Sequence, residues 1–169
     1  MHLAGRTSYS LLACALLCAA LAAFAVGCGG PPGGTSSAPP PFDVLERSIP
    51  ELQAAMTDGR VTSRELVAQY LARIEAYDHG GPGLNAMIAI NGRALDEADA
   101  LDRERIASGP RGPLHGVPLL VKDNFDVAGM PTTAGSIALA EWYPPDDAFQ
   151  VARLREAGAV IIGKANMHE

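Results

Sequence analysis

The sequence has few cations, few aromatic side chains and only three cysteines. Its 13 Lys and Arg stand against 19 Asp and Glu, which leaves a formal charge of −6 over 169 residues. An acidic chain lacks the cationic surface that would hold a phosphate backbone, so we expect no nucleic-acid partner. With 48% hydrophobic residues, the chain is nevertheless apolar enough to build one globular core.

The apolar N-terminal segment is short for a membrane-spanning helix. Residues 11–26 are uncharged and apolar or small, whereas a spanning helix needs roughly 20 apolar residues. This length favours a secretory signal peptide, which would comprise residues 1–27. The segment ends in Ala25-Val26-Gly27-Cys28, which is similar to the bacterial lipobox, where the signal is cut before a Cys that is then acylated. An uncleaved membrane anchor is the alternative.

The cysteines and the segment after them agree with a lipid anchor. Cys14 and Cys18 fall within the cleaved signal, so the mature chain would form no disulfide. We expect Cys28 to carry lipid and to attach the protein to a membrane of the bacterial cell envelope. Residues 28–41 are rich in Gly and Pro and have nothing to bury, which predicts a tether between the lipid and a folded domain over residues 42–169.

Capping signals predict helices at the start of the folded domain. Pro50 and Glu51 lie two and three positions after Ser48. This pattern predicts a helix that begins at Ser48 and ends near Gly59. The same pattern at residues 62–65 begins a second predicted helix that runs to Asp78. A charged helix is predicted over residues 93–108.

Short apolar runs bounded by Gly and Pro predict three strands. A helix capped by Asp146 or Asp147 and stopped by Gly158 would connect the last two strands as a βαβ crossover. The predicted fold class is therefore α/β, with N-terminal helices followed by part of a mixed or parallel sheet. A sheet that ended at its last strand would leave an apolar edge exposed. The strands are predicted at residues 86–90, 119–121 and 160–162.

Two segments carry a resemblance to a known family: residues 112–136 (GPLHGVPLLVKDNFDVAGMPTTAGS) and 147–166 (DAFQVARLREAGAVIIGKAN). They resemble the N-terminal part of the amidase signature family, whose members hydrolyse or transfer carboxamide groups with a serine nucleophile. In the order of elements, the likeness runs from Phe42 to the end of the sequence. The resemblance implies a small-molecule amide substrate, no metal and no organic cofactor, and a fold of which this chain is one portion.

The resemblance assigns the family's catalytic lysine to Lys122, in the Lys-Asp-Asn step after a strand. A lysine in water is protonated at neutral pH, but burial favours the neutral amine. Neutral Lys122 would take a proton, relayed through a bridging serine, from the serine that attacks the amide carbonyl. A solvated lysine at a strand end is the alternative. Asp123 and Asn124 are the candidates for substrate binding, in a loop that they would orient around Lys122; alternatively, they cap the turn after the strand.

The two serines of the family's triad lie downstream of the matched region, and the sequence as written ends before them. Ser136 is interpreted as a helix cap rather than a nucleophile. We therefore expect a truncated N-terminal portion of an amidase that is inactive alone. The alternative is a non-catalytic, lipid-anchored binding or structural module derived from an amidase.

Two other patterns are assigned structural roles. Residues 158–165 match a phosphate-binding loop in their glycines and Lys164, but Ala165 replaces the hydroxyl that would bind magnesium. The segment is therefore predicted to be a turn and a buried strand. His79 and His115 have no partner at metal-ligand spacing, which predicts surface loop histidines.

Overall fold

The structure, a computed structural model, describes residues 42–167. The predicted signal peptide (residues 1–27), the predicted lipidation site Cys28 and the tether (residues 28–41) lie outside the described residues. Among the helices of residues 42–167, none has both the length and the apolar character that crossing a bilayer requires.

The helices and strands follow the predicted order. In chain order they are α1 (Ile49–Thr57), α2 (Ser63–Ile74), β1 (Met87–Ile90), α3 (Ala94–Ser108), β2 (Pro118–Lys122), α4 (Phe149–Glu156) and β3 (Val160–Ala165). A π-helical turn, Glu75–His79, extends α2, and a short 3-10 turn, Ile137–Leu139, follows the loop after β2.

Both predicted capping boxes are formed. The Glu51 carboxylate accepts hydrogen bonds from the backbone N–H and the hydroxyl of Ser48 at 2.8 and 2.7 Å. At the start of α2, the Thr62 hydroxyl accepts from the Glu65 N–H at 3.1 Å, and the Glu65 carboxylate accepts from the Thr62 N–H at 2.8 Å. Backbone donors that have no partner inside the helix are thereby satisfied, which fixes where each helix begins.

The three strands form a mixed sheet in the order β1-β3-β2. β2 pairs with β3 in parallel and β1 pairs with β3 antiparallel, so the predicted α/β class and βαβ crossover are confirmed. A sheet that ended at β3 would expose an apolar edge, but β3 is the central strand. The apolar run of β1 is typical of a buried strand, yet β1 is an edge strand whose residues are half-buried or exposed.

The core lies on both sides of β3. Val160 and Ile162 pack with side chains of α2 and α3, whereas Ile161 packs against α4 and the loop after β2. This alternation follows from the strand period of two and explains why β3 is a continuous apolar run. A third apolar cluster joins α1 to α2 and includes Leu52, Leu66 and Val117.

The start of α4 differs from the prediction. Ala148, and not Asp146 or Asp147, is the N-cap residue, and it makes no side-chain capping bond. Asp147 instead accepts a hydrogen bond from the Ala128 N–H at 2.8 Å and forms an ion pair with Arg155 at 3.1 Å. Its carboxylate is therefore used to hold the preceding loop against α4 rather than to cap the helix.

Candidate active site

The predicted catalytic residue, Lys122, is the last residue of β2. It pairs with Ala165 of β3, and its carbonyl accepts a hydrogen bond from the Phe125 N–H at 3.0 Å, which begins a turn. Its side chain is exposed. The desolvation that would favour a neutral amine is therefore not supplied by the residues that the structure describes.

The two residues after Lys122 differ sharply in their surroundings. Asn124 is exposed, whereas Asp123 is fully buried. Because burial alternates through Val121, Lys122 and Asp123, the Asp123 carboxylate lies on the side of the strand opposite to the Lys122 side chain. One of its oxygens accepts hydrogen bonds from the backbone N–H and the hydroxyl of Thr133 at 3.0 and 2.5 Å. Asp123 therefore fastens the loop after β2.

The structure adds a residue to which the sequence assigned no role in the site. Lys164 of β3 is fully buried and forms an ion pair with Asp123, with the ammonium nitrogen 3.0 Å from the carboxylate oxygen. The same nitrogen donates to the Pro131 carbonyl and to the Thr132 hydroxyl, both at 3.0 Å. The sequence signal for this pair is a lysine within an apolar strand. A strand that is buried also buries the lysine, and a buried ammonium group needs an anionic partner.

The charge of Asp123 follows from these contacts. Burial alone would raise the pKa of the Asp123 carboxyl, but the hydrogen bonds from Thr133 and Lys164 favour the ionised form and leave that pKa below its ordinary value. The carboxylate and the ammonium group therefore form a charged pair in the interior, next to the strand end that carries Lys122.

The loop that Asp123 fastens contains a strained residue. Ala134 has a φ of 49°, in the left-handed region that residues with a Cβ seldom adopt. Its N–H donates to the Asp123 carbonyl at 3.2 Å, and the neighbouring Gly135 N–H donates to the Thr133 hydroxyl at 3.1 Å. These bonds hold the chain in that conformation. Ser136 follows at the start of the 3-10 turn without a side-chain capping bond.

His115 is far from a surface histidine, and the prediction of an exposed loop position is wrong. It is fully buried. Its Nε2 lies 2.9 Å from the Leu101 carbonyl, and its Nδ1 accepts from the Arg111 N–H at 3.2 Å. Gly158 makes room for it, since a Cβ at that position would lie 2.9 Å from the His115 ring. His115 therefore joins α3 to the loop before β2 and packs against Gly158 in the turn before β3. His79 is half exposed beside Asp78 and Glu75.

The segment rejected as a phosphate loop is confirmed as a turn and a strand. Gly163 lies inside the sheet, where an added Cβ would stand 2.7 Å from Cε of Met87 and 2.8 Å from the Ala89 carbonyl oxygen. The glycine is required because two strands approach closely there. It does not present backbone N–H groups to a ligand, since β3 is buried along most of its length.

An open apolar groove lies at the sheet face that carries Lys122. Its volume is about 310 Å³, and its lining includes Tyr77, Leu84, Met87 and Leu120. Leu120 and Lys122 are two positions apart on β2, so their side chains share one side of the strand. The groove therefore offers apolar surface on the same side as the amine. The fold and these residues define a mixed α/β domain with a solvent-facing lysine at the C-terminal end of a parallel strand.

Comparison with known proteins gives the family. The family model for Amidase matches residues 65–169. The chain is 40% identical over 130 residues to mandelamide hydrolase of Pseudomonas putida, covering 76% of this chain and 25% of that protein. It is 46% identical over 125 residues to one of the glutamyl-tRNA(Gln) amidotransferase subunits of Halorhodospira halophila, covering 73% of this chain and 25% of that one.

A solved structure agrees with the sequence matches. Native peptide amidase from Stenotrophomonas maltophilia is 52% identical, with a TM-score of 0.70 over 73% of this chain and 25% of that one. The chain belongs to the amidase signature family, and it spans about a quarter of the length of the relatives that it matches.

Proposed function

We propose that this chain is the lysine-bearing portion of a hydrolase that cleaves carboxamide C–N bonds, with Lys122 as its base. The observation that carries the proposal is the position of Lys122: it ends a parallel strand, beside a loop fastened by buried charges, in a chain 52% identical to a solved peptide amidase over the matched region. Asn124, which is exposed beside Lys122, is a candidate for contacting substrate.

The proposed chemistry needs a serine nucleophile and a bridging serine, which the family resemblance places downstream of residue 166. Neutral Lys122 takes the bridging serine's proton as that serine takes the nucleophile's proton, and the nucleophile's oxygen bonds to the amide carbon. The C–N bond then breaks and the amine leaves with the proton. Water cleaves the resulting ester, which regenerates the serine. Because Lys122 is exposed in the described residues, the segment that supplies the serines would also have to exclude water from the amine.

A grafted enzyme tests this role. Residues 42–167 would replace the corresponding quarter of the Stenotrophomonas maltophilia peptide amidase, and hydrolysis of a substrate of that parent enzyme would be measured. We expect an active graft, and we expect Lys122→Ala to lower kcat at least about 100-fold, the scale of a lost general base. Leu52→Ala in the same graft is a matched control that weakens the apolar cluster of α1 and α2, to which Lys122 does not belong.

The results of the graft separate the two functions that the sequence leaves open. An active graft that loses turnover with Lys122→Ala supports the base. A folded graft that is inactive in every form supports the alternative, a non-catalytic module derived from an amidase. Undiminished turnover in the Lys122→Ala graft would remove this residue from the mechanism.

We also propose that the chain is exported and is attached to the cell envelope through lipid on Cys28. The support is the uncharged run of residues 11–26 followed by a Cys in a lipobox-like sequence. We expect Cys28→Ser to abolish incorporation of labelled fatty acid and to move the protein from the membrane fraction to the soluble fraction. Continued membrane retention without label would favour an uncleaved anchor.

A further inference from the structure

Only two of the chain's 13 cationic side chains are lysines, and the fold places them on adjacent strands in opposite environments. Lys122 ends β2 and is exposed, whereas Lys164 of β3 is fully buried. In the parallel register, Lys164 pairs with Val121, the residue just before Lys122. The two amines therefore lie near one strand end while facing away from each other.

The Lys164 ammonium group has three oxygen atoms around it, each 3.0 Å from the nitrogen. It donates hydrogen bonds to the Pro131 carbonyl and the Thr132 hydroxyl, and it forms an ion pair with the Asp123 carboxylate. Asp123 begins the loop after β2, and Pro131 and Thr132 lie where that loop returns. One buried cation therefore connects both ends of the loop to β3.

Asp123 is held from several directions. Its backbone N–H donates to the Ala165 carbonyl at 2.9 Å, its carbonyl accepts from Ala134, and its second carboxylate oxygen accepts from Thr133. Lys122 precedes it directly, so the backbone of Lys122 is fixed by the β3 ladder on one side and by Asp123 on the other. Rotation of this junction would separate a buried charge pair, which is costly in the interior.

We propose that Lys164, whose positive charge is balanced by the Asp123 carboxylate, is a positioning residue. It fixes the direction in which the Lys122 side chain extends from the end of β2, and it takes no part in proton transfer itself. The inference rests on the proposed role of Lys122 as base. A base needs a free lone pair that reaches a ligand, whereas the Lys164 nitrogen is buried, donates two hydrogen bonds and is paired with a carboxylate. Lys122, on the exposed side, has the access that Lys164 lacks.

The first test uses the full chain and compares the two amines directly. Reductive methylation with ¹³C-formaldehyde under native conditions labels accessible lysines, and mass spectrometry of peptides separates the two sites. We expect Lys164 to react at least about 100-fold more slowly than Lys122, because its exposure requires opening of the core. In denaturant the two rates should converge. Equal native rates would overturn the inference.

The second test asks whether the buried pair controls the position of Lys122. The double variant Asp123→Asn/Lys164→Met removes both charges, so that no unpaired charge stays in the interior. In it we expect hydrogen exchange of residues 123–134 to rise at least about tenfold and the ¹³C resonance of dimethylated Lys122 to shift. Leu52→Ala, which truncates a buried side chain of α1, should change neither. Wild-type values for both readouts in the double variant would overturn the inference.

The third test measures catalysis in the peptide amidase graft. There the double variant should lower kcat about 100-fold, the scale that a displacement of about 1 Å can cause, while KM changes less than about threefold. A double variant with full kcat would show that the pair has only a structural role and would overturn the inference. If the unmodified graft is inactive, the proposed function fails, and labelling and exchange in the full chain still decide whether Lys164 positions Lys122.

Discussion

Two regions of this domain are held together by different forces. The helical layer of α1 to α3 is stabilised by apolar side chains, with Leu66, Val67, Ala94 and Ala98 fully buried. The junction after β2 depends on the buried pair of Asp123 and Lys164 and on the hydrogen bonds around it. Apolar burial tolerates substitutions that conserve volume and responds little to pH, whereas a buried charge pair depends on both partners and on the ionisation of each. The helical layer is therefore sensitive to volume, and the junction is sensitive to charge.

The largest expected effect is the loss of one charge at the junction. Lys164→Met leaves the Asp123 carboxylate buried without its cation, which should lower the free energy of unfolding by about 3–5 kcal/mol. Denaturant unfolding measures this. Lys122→Met is the matched control at an exposed position, where we expect a change within about 0.5 kcal/mol. Similar losses for both lysines would contradict the contrast between the two sites.

A truncation in the helical layer should lower the free energy of unfolding by a comparable amount, but through lost side-chain volume rather than lost charge. Leu66 is fully buried between α2 and its neighbours, so Leu66→Ala should cost about 2–5 kcal/mol through lost burial and a residual cavity. Leu66→Met, which nearly conserves volume, should cost less than about 1.5 kcal/mol. Calorimetric or denaturant unfolding of the two variants gives the comparison. A Met variant as unstable as the Ala variant would show that volume is not the controlling quantity here.

A glycine pair separates backbone strain from steric overlap. Gly59 and Gly158 both have positive φ, 68° and 87°, but an added Cβ meets nothing within 4 Å at Gly59 and lies 2.9 Å from His115 atoms at Gly158. Both Ala variants should carry about 1–2 kcal/mol of strain. Gly158→Ala should cost about 1–3 kcal/mol more, because His115 is packed on all sides. Equal melting temperatures of the Gly59→Ala and Gly158→Ala variants would contradict the close approach of His115 to Gly158.

The smallest expected effect is a dependence of stability on acid. Because the folded-state pKa of Asp123 lies below its ordinary value of 3.8, this carboxyl contributes stability above about pH 4, and that contribution is lost as the pH falls through the folded-state value. Between pH 7 and pH 3, the free energy of unfolding should therefore fall by an additional amount that the double variant Asp123→Asn/Lys164→Met does not lose. Parallel pH profiles for the two proteins would be inconsistent with a paired carboxylate.

The parts of the fold that depend on neighbouring residues were predictable. The capping boxes at Ser48 and Thr62 lie within four residues of chain and are formed as expected. The apolar run of residues 160–162 predicted β3 because both faces of that strand are buried, and the apolar run of residues 119–121 predicted β2, although one face of β2 is partly exposed. The antiparallel place of β1 was not predicted, since pairing between segments distant in sequence leaves no local pattern.

The candidate site shows the same division. Lys122 was assigned to a strand end from the family resemblance, and it lies at one. Its catalytic role is still a prediction, as are those of Asp123 and Asn124. Lys164 was visible only as part of a pattern that was rejected, because its partner Asp123 lies in a different element. Neighbouring glycines and prolines predict a surface position for His115, but its ring is buried against Gly158, which is distant in sequence and leaves no local pattern.

The order of the strands across the sheet governs when the sheet can form during synthesis. β1 and β2 each pair with β3, which lies between them and is the last of the three to be made. Helices α1 to α3 can associate on the emerging chain, but β1 and β2 have no strand partner in this sheet until residues 160–165 leave the ribosome. During that interval the two unpaired strands can pair with exposed strands of other protein chains. Chaperone protection is therefore most valuable to this domain in the short period before β3 emerges.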